Sequence, residues 1–575
     1  DSGTIKLDGN YPTGTQNVAL GDNAGASLTS GAHNTFLGGN AGNAQTSASS
    51  NTIIGNYAGN ALTTGSSNTT VGRDSLLSNT TGASNTVLGR DALRSNTTAS
   101  RNTAVGYQSS YANTTGSANA SVGYQALYAN TTGAENTALG DQSLYLNTTG
   151  AGVTGLGRFA LYSNTTGNYN TAVGLQSLAS NTTADNSTAV GYQAAYSNNS
   201  TNGQHAVLGS QALYSNTSGN QNTALGRQAM YANTTGSNNV AVGFLSMYNN
   251  TTASDNIAFG VNALYTNTTG TANTALGRSA LRYNTTASNN TAVGYEALLD
   301  NTTGASNQAV GNYALWNNTT GNSNQAMGYA ALETNTTGAN NVAIGSNALQ
   351  SNTTASNNTA VGYQAGYSNT TGTNNVALGK DTLRNVSTTS NNTAVGNGAG
   401  YTTTGQYNTF LGRTSGGNIT TGSKNTIIGS YNGNQGGLDI RTSSNNIVLS
   451  DGDGNVRVHV DSNGKTRAES YAETSEALSG TTPTVNCNNG NVFTLTTSGN
   501  TTFTFSNPPA SGTAYGFTLK LTSGGSHTIT YPNTVDFAGG TAPDAPASGE
   551  TDVLVFFTVD GGTNWYGALA IDAAG

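Results

Sequence analysis

The segment at 102–106 reads Asn-Thr-Ala-Val-Gly, and this motif of an apolar pair followed by glycine recurs along most of the chain. Its glycine returns with a constant step of 17 in the numbering, except for one step of 18 before Gly209 and one step of 16 before Gly412. The series runs from Gly21 to Gly429 and contains 25 glycines. A fixed period of this length is typical of solenoids, in which each repeat packs only against its neighbours. We therefore predict an all-β solenoid of 25 coils, with Ile447-Val448-Leu449 as a last degraded one.

Each coil divides into short segments. Residues 102–106 form a strand that ends at a glycine corner, residues 107–111 form a second segment, and the Asn-Thr-Thr-Gly stretch at 113–116 is the return turn. Asn and Gly tolerate the positive φ that such turns need. The segments are too short to stand alone, so we expect them to stack as parallel sheets at roughly 4.8 Å per coil, which gives a rod about 120 Å long.

The apolar pair predicts an assembly. Because side chains alternate along a strand, Ala104 and Val105 must point to opposite faces. The outward ladder would leave a long apolar stripe on a monomer. Cyclic assembly around the rod axis would cover it, and we predict a homotrimer, with the small alanine ladder suited to close approach near the axis. The alternative is a thicker single-chain solenoid that holds both residues inside.

Composition excludes several functional classes. The 575 residues carry a net charge of −8, with 8% charged and 34% hydrophobic residues, and Cys487 is the single cysteine. We expect no disulfide framework, no nucleic-acid partner because no basic block occurs, and no membrane insertion because no apolar run reaches the length of a span. The sequence starts at Asp1 without Met, so we expect a processed chain or a portion of a longer one.

The repeat resembles two known groups of proteins. Residues 102–109 and 359–365 resemble the head repeats of YadA-like trimeric autotransporter adhesins. The longer unit at 124–133, Tyr-Gln-Ala-Leu-Tyr-Ala-Asn-Thr-Thr-Gly, is more similar to bacteriophage tail-fibre proteins. The resemblance covers residues 17–450. It implies trimeric, left-handed parallel β-rolls in a structural fibre of a virion, with other virion proteins and a host cell-surface glycan or protein as partners.

Departures from the adhesin pattern favour the fibre. The sequence shows no coiled-coil stalk and no C-terminal membrane-anchor barrel, both of which an intact adhesin should carry, and this favours the fibre. It also shows no chaperone domain of the endosialidase type, which many such fibres carry, so the way in which a trimer would register during folding stays open. The expected function is therefore a trimeric phage tail-fibre shaft that presents a terminal β-module for host attachment. The alternatives are a bacterial cell-surface adhesin of the trimeric autotransporter type and a purely structural extracellular filament.

Four segments are expected. Residues 1–16 are a connecting segment, 17–439 the repeat shaft, 440–480 a β-hairpin neck and linker, and 481–575 a β-rich module with the strand spacing of a β-sandwich. Within the linker, residues 468–480 allow a helical turn.

The sequence offers little catalytic or metal-binding chemistry. The four histidines are scattered, and only His459 has a carboxylate near it, at Asp461. We therefore predict no enzymatic activity and no cofactor. Asp451, Asp453 and Asn455 have the spacing of the first ligands of a calcium loop, but Ser462 stands where the loop needs glutamate. We predict a plain turn there.

Two sets of aromatic residues are candidates for binding. Tyr occupies the fifth position after many corner glycines, with Trp316 in the same place and Arg282, Glu333 and Arg384 as interruptions. We interpret this set as coil-to-coil stacking, with glycan contact as the alternative. In the C-terminal module, Trp565, Tyr566 and Tyr531 are the candidates for receptor contact, since aromatics are enriched at binding hot spots; the alternative is that they are core or interface residues. The tyrosines of the first set are Tyr111, Tyr128, Tyr145, Tyr162, Tyr196, Tyr214, Tyr231, Tyr248 and Tyr265.

The Asn-Thr-Thr turns have the form of glycosylation sites. They begin at Asn96, Asn113, Asn130 and equivalent positions of later coils. We predict that they form stacked Asn and Thr ladders instead.

Overall fold

The computed structural model describes residues 15–468, 470 and 472–572. Residues 1–14 of the expected connecting segment lie outside them. The described chain is all-β apart from one 3-10 turn at Ala538–Gly540, and it divides into two compact units between Arg467 and Ala468. The parallel β-solenoid that the period of the glycines predicts is confirmed.

Twenty-five short strands form the solenoid sheet, one from each coil. They are β1 (Val18–Leu20), β2 (Thr35–Leu37), β3 (Thr52–Ile54), β4 (Thr69–Val71), β5 (Thr86–Leu88), β6 (Thr103–Val105), β7 (Ala120–Val122), β8 (Thr137–Leu139), β9 (Thr154–Leu156), β10 (Thr171–Val173), β11 (Thr188–Val190), β12 (Ala206–Leu208), β13 (Thr223–Leu225), β14 (Val240–Val242), β15 (Ile257–Phe259), β16 (Thr274–Leu276), β17 (Thr291–Val293), β18 (Gln308–Val310), β19 (Gln325–Met327), β20 (Val342–Ile344), β21 (Thr359–Val361), β22 (Val376–Leu378), β23 (Thr393–Val395), β24 (Thr409–Leu411) and β25 (Thr426–Ile428).

Each strand pairs in parallel with the strand of the next coil, residue for residue. In the coil that is longer by one residue, Thr188 still pairs with Ala206, and in the coil that is shorter by one residue, Thr393 still pairs with Thr409. The turns therefore absorb both irregularities. This is expected, because a slip of one residue in the strand would move every side chain to the wrong face.

The strand centre enters the interior and the third residue faces outward. Ala104 is fully buried, whereas Val105 is half-buried in the single chain. The alternative of two inward residues is therefore wrong. The suggestion that the alanine ladder lies near an assembly axis is also wrong, because these alanines lie inside the chain's own core. The ladder available to another chain is the one of Val, Leu and other large apolar residues.

Large interior residues near both ends of the shaft are matched by glycine in the same coil. Near both ends of the shaft the strand centre is large, and a glycine faces it: a Cβ added to Gly42 would lie 2.4 Å from Phe36, and one added to Gly416 would lie 2.4 Å from Phe410. In the middle of the shaft the corresponding residues are alanine and leucine, as in buried Ala258 and Leu264. A well-packed interior tolerates neither a void nor an overlap.

A ladder of buried asparagines runs through the return turns. Asn250 donates from Nδ2 to Oδ1 of Asn233 at 2.8 Å and to the carbonyl of Ala253 at 3.0 Å, and its own Oδ1 accepts from Asn267 at 2.9 Å. The same links join Asn96, Asn113 and Asn130, all fully buried. The predicted asparagine ladder is confirmed, and these side chains have no exposed surface to carry a glycan.

Asn250→Leu is expected to lower the free energy of unfolding by roughly 3 kcal/mol, because it leaves a buried donor and a buried acceptor without partners. Leucine fits the position sterically, since Leu28 and Leu62 occupy it near the start of the shaft. Urea denaturation with hydrogen exchange of the flanking coils would measure the loss. Asn249→Leu, at a half-buried neighbouring position, is the control; an equal effect of both changes would contradict the ladder's role.

The shaft continues past its expected end at residue 439. A small hairpin, β26 (Asn434–Gln435) and β27 (Leu438–Asp439), emerges from the last coil. β28 (Ile447–Ser450) then pairs in parallel with β25 as one more coil, and β29 (Val456–Val460) pairs with it in antiparallel fashion. β30 (Thr466–Ala468) lies next to β29, and its last residue is the first residue of the second unit.

The second unit is a mixed sheet with two small two-stranded sheets. Its strands are β31 (Ser475–Ala477), β32 (Thr484–Asn486), β33 (Val492–Thr496), β34 (Thr501–Thr502), β35 (Thr504–Ser506), β36 (Tyr515–Thr522), β37 (Ile529–Thr530), β38 (Val535–Phe537), β39 (Thr551–Thr558) and β40 (Trp565–Ile571). The six-stranded sheet has the order β31-β33-β36-β39-β40-β38, and β32 pairs with β35 and β34 with β37. The expected helical turn at 468–480 is wrong where it overlaps β31, because those residues pair with β33 at the sheet edge.

Candidate functional site

One face of the solenoid carries an unbroken apolar ladder. The residue before each corner glycine, together with Leu449 of β28, is Val, Leu, Ile, Phe or Met in every coil, and none of these side chains is buried in the single chain. Leu208, Phe259 and Met327 are each 54% exposed. Scattered exposed apolar residues are ordinary, but a contiguous stripe marks an interaction surface. We call this set of residues the outward apolar ladder.

A second surface ladder occupies the fifth position after the corner glycines, and its character differs. Tyr111, Tyr128, Tyr145 and Tyr162 stack in sequence with ring centroids 5.1–5.2 Å apart. A second run, from Tyr196 to Tyr265, stacks at 5.0–5.4 Å. The predicted stacking between coils is therefore confirmed. We call this set the tyrosine ladder.

Charged residues share the position of the tyrosine ladder. Arg94 lies 6.0 Å from the ring of Tyr111, and Arg384 lies 5.7 Å from the ring of Tyr367. Arg282 and Glu333 occupy the same place in other coils. A position that accepts both charge signs faces water, whereas the outward apolar ladder has no polar member. The tyrosine ladder therefore suits contact with water, whereas the outward apolar ladder suits burial against another apolar surface.

The structure separates the three predicted receptor residues. Trp565 is 1% exposed and packs edge-on against Phe505 at 5.2 Å, so it belongs to the core. Tyr531 stacks on Phe503 at 5.7 Å, and burial raises the pKa of its phenol. It also lines a surface cavity of about 320 Å³ beside Pro532. Of the three side chains, that of Tyr566 is the one on the open surface, 54% exposed.

Sequence reasoning missed the neighbours of Tyr566. Phe557 lies opposite it on β39 and is 45% exposed, and Val555 and Ile571 extend the same outer face of the sheet. The signal is present in the sequence, because residues 553–557 are apolar at five consecutive positions. Such a run places apolar side chains on both faces of a strand.

The acidic loop after β28 forms a plain turn. Oδ1 of Asp451 accepts from the backbone NH of Asp453 at 3.0 Å and of Asn455 at 2.9 Å, and Oδ2 accepts from Arg457 at 2.7 Å. Nδ2 of Asn455 also donates to Oδ2 of Asp451, at 3.1 Å, and this bond, followed by those from Arg457 and the two backbone NH groups, holds the pKa of the Asp451 carboxyl far below its usual value. Within the described residues, no group of three or more His, Cys, Asp or Glu is placed to hold a metal ion.

A second ladder of buried asparagines, which includes Asn222 and Asn239, lies just before the strands, and one histidine replaces asparagine in it. His205 is 3% exposed, and its Nδ1 accepts a hydrogen bond from the backbone NH of Asn222 at 3.2 Å. In the next coil, Oδ1 of Asn222 accepts the equivalent bond from the backbone NH of Asn239 at 3.0 Å. Burial lowers the pKa of His205 from 6.5 to about 4. A protonated ring would lose the acceptor that this position requires.

Acid is therefore expected to destabilise the coil that contains His205. Its folded pKa lies below the unfolded one, so its full contribution is present above about pH 6.5 and is lost as the pH falls to about 4. The loss amounts to roughly 3 kcal/mol by the usual conversion of pKa to free energy. Hydrogen exchange across this pH range would measure it. His205→Asn restores the ladder residue and should remove that part of the pH dependence; an unchanged profile would contradict the assignment.

Comparisons with known proteins identify no relative. No protein-family model, no curated protein and no solved structure matches the chain. In the part of the chain that the structure describes, no helix has the length and apolar character needed to cross a bilayer.

Proposed function

We propose that this chain is one third of a homotrimeric fibre, whose shaft is the solenoid and whose C-terminal unit serves attachment to a surface. The observation that carries the proposal is the outward apolar ladder, which stays apolar in every coil. If the chain stayed a monomer, these exposed positions would be expected to include polar residues, because isolated surface positions accept them freely.

Association of copies explains the uniform ladder. Each large apolar side chain removed from water contributes on the order of 1–2 kcal/mol, and the contribution repeats at every coil. Identical chains set side by side around one axis bring identical ladders into register, since the coil spacing is the same in each copy. The number of copies rests on the resemblance of the repeat to trimeric fibre and adhesin heads.

Attachment is assigned to the C-terminal unit through its outer sheet face. Tyr566, Phe557, Val555 and Ile571 form an exposed aromatic and aliphatic patch of the kind that carries binding energy in protein interfaces. Location in a bacteriophage virion follows from the resemblance of residues 17–450 to tail fibres. A bacterial cell-surface adhesin is the second candidate, favoured by the similarity of residues 102–109 to adhesin heads.

Light scattering of the purified chain tests the assembly, and a mass three times that of one chain is expected. A stable monomer would overturn the fibre proposal. Antibodies raised against the chain are expected to label the tails of virus particles in the source sample. Labelling of intact bacterial envelopes instead would favour the adhesin.

A further inference from the structure

The tyrosine ladder has a single missing ring between its two stacked runs. Four tyrosines end at Tyr162 and five begin at Tyr196, and the coil between them carries Ala179 at the same position. Because one coil lies between them, the flanking rings are two coil-to-coil steps apart, which is about 10 Å at roughly 4.8 Å per step. A flat ring midway would stand about 5 Å from each, close to the spacing of the stacked tyrosines.

A ladder of glutamines breaks at the same place. Gln142 donates to Gln125 at 3.0 Å, and Gln193 donates to Gln176 at 3.0 Å, each link joining one coil to the next. In the coil between those of Gln142 and Gln176, the equivalent position is occupied by Phe159. Among the described residues, therefore, the Oε1 of Gln142 and the Nε2 of Gln176 have no ladder partner, and one acceptor and one donor are left for another group.

The two breaks open one pocket of about 350 Å³. Its size falls within the range of about 300–1,000 Å³ usual for small-ligand sites. Among the described residues that line it, none has an acidic or basic side chain. The lining residues are Gln142, Phe159, Tyr162, Ser163, Gln176, Ala179, Ser180 and Tyr196.

We propose that this pocket, the ring slot, binds a neutral hexopyranose residue of a glycan. The carbon-bound hydrogens of a pyranose face pack on aromatic rings, which here are those of Tyr162 and Tyr196. The hydroxyls around its edge are donors and acceptors, and the amides of Gln142 and Gln176 offer both. An aromatic guest would fill the space but would leave these polar groups unused.

The slot stays open in the proposed assembly. It belongs to the surface on which Arg94, Arg282, Glu333 and Arg384 occur, and charged residues of both signs favour a position in water. The inference rests on the proposed function only for the source of the sugar, a host-surface glycan. The binding itself is a property of four adjacent coils.

Saturation-transfer NMR on the full chain tests the slot. The probes are the methyl pyranosides of galactose, glucose, mannose and N-acetylglucosamine, with p-cresol as the aromatic comparison. At least one sugar is expected to receive saturation at its ring hydrogens. Ala179→Tyr completes the tyrosine ladder with the residue that neighbouring coils already carry, and it should reduce that signal at least fivefold.

Leu299→Tyr is the matched control, because it adds a tyrosine at the same repeat position of a distant coil. It should leave the sugar signal unchanged. Phe159→Gln should restore the hydrogen bonds of the glutamine ladder. Because the amides of Gln142 and Gln176 would then be paired, sugar binding should weaken at least threefold. The proposal is overturned if no sugar binds, or if p-cresol lowers the sugar signal more than an equal concentration of a second methyl pyranoside does. It is also overturned if Ala179→Tyr and Leu299→Tyr change the sugar signal equally. Light scattering of the same samples reports assembly, so failure of the trimer and failure of the slot are separable.

Discussion

Replacing Leu208, Leu225 and Val242 together with glutamate is expected to dissociate the assembly into monomers. The three residues are consecutive members of the outward apolar ladder in β12, β13 and β14. In a trimer the substitutions would place nine carboxylates in one short apolar section, and burial of unpaired charges costs several kcal/mol each. Light scattering should show the association constant falling by at least 100-fold, while the circular dichroism of the solenoid is retained.

The control for this experiment lies in the same three coils. Tyr214→Glu, Tyr231→Glu and Tyr248→Glu introduce the same charge into the tyrosine ladder, which already accepts Glu333 elsewhere. This variant should stay assembled, with a modest loss of stability from the lost stacking. Assembly that survives the ladder substitutions, or dissociation by both sets, would contradict the assignment of the outward apolar ladder as the interface.

Gly277→Ala is expected to destabilise the shaft locally by roughly 3 kcal/mol or more, through backbone strain and steric overlap together. Gly277 has φ of +139°, in a region that side chains rarely adopt, and an added Cβ would lie 2.3 Å from the carbonyl oxygen of Gly294 in the next coil. The coils can relieve the overlap only by separating. Hydrogen exchange should show lost protection in β16 and β17, since each coil depends on its neighbours.

Gly452→Ala is the matched control, because nothing lies within 4 Å of a Cβ added there. It should leave protection unchanged. If Gly277→Ala were equally silent, the corner glycines would not be required by coil stacking. The outcome of this experiment does not depend on trimer formation, because the overlap lies within one chain.

Several features were predictable because they recur in coil after coil of the sequence. The corner glycines, the strand position and the asparagine turns recur with the period, so isolated exceptions such as Arg94 or Ala179 do not obscure the pattern. In the C-terminal unit, the spacing of the strands predicted a β-rich module, and the structure has strands there from β32 to β40. Non-repeating parts were harder. The edge strand β31 has no alternating apolar pattern, and its place depends on pairing with β33.

The candidate site was predictable only in part. Alternation indicated that one residue of the pair Ala104 and Val105 points outward, but not which one. Likewise, Trp565 and Tyr566 looked alike as aromatic candidates. Trp565 is buried against Phe505 and Phe517, whereas Tyr566 is exposed beside Phe557. Local sequence specifies alternation; the choice of face depends on what packs against the strand.

By itself, the sequence determined the period, the coil parts and the all-β class, because these depend on backbone hydrogen bonding and turn chemistry that repeat in every coil. Only the tertiary structure decided which ladder faces outward, and that the gaps at Ala179 and Phe159 open into one pocket. These are contacts between residues of different coils, and their geometry exists only after the coils have stacked.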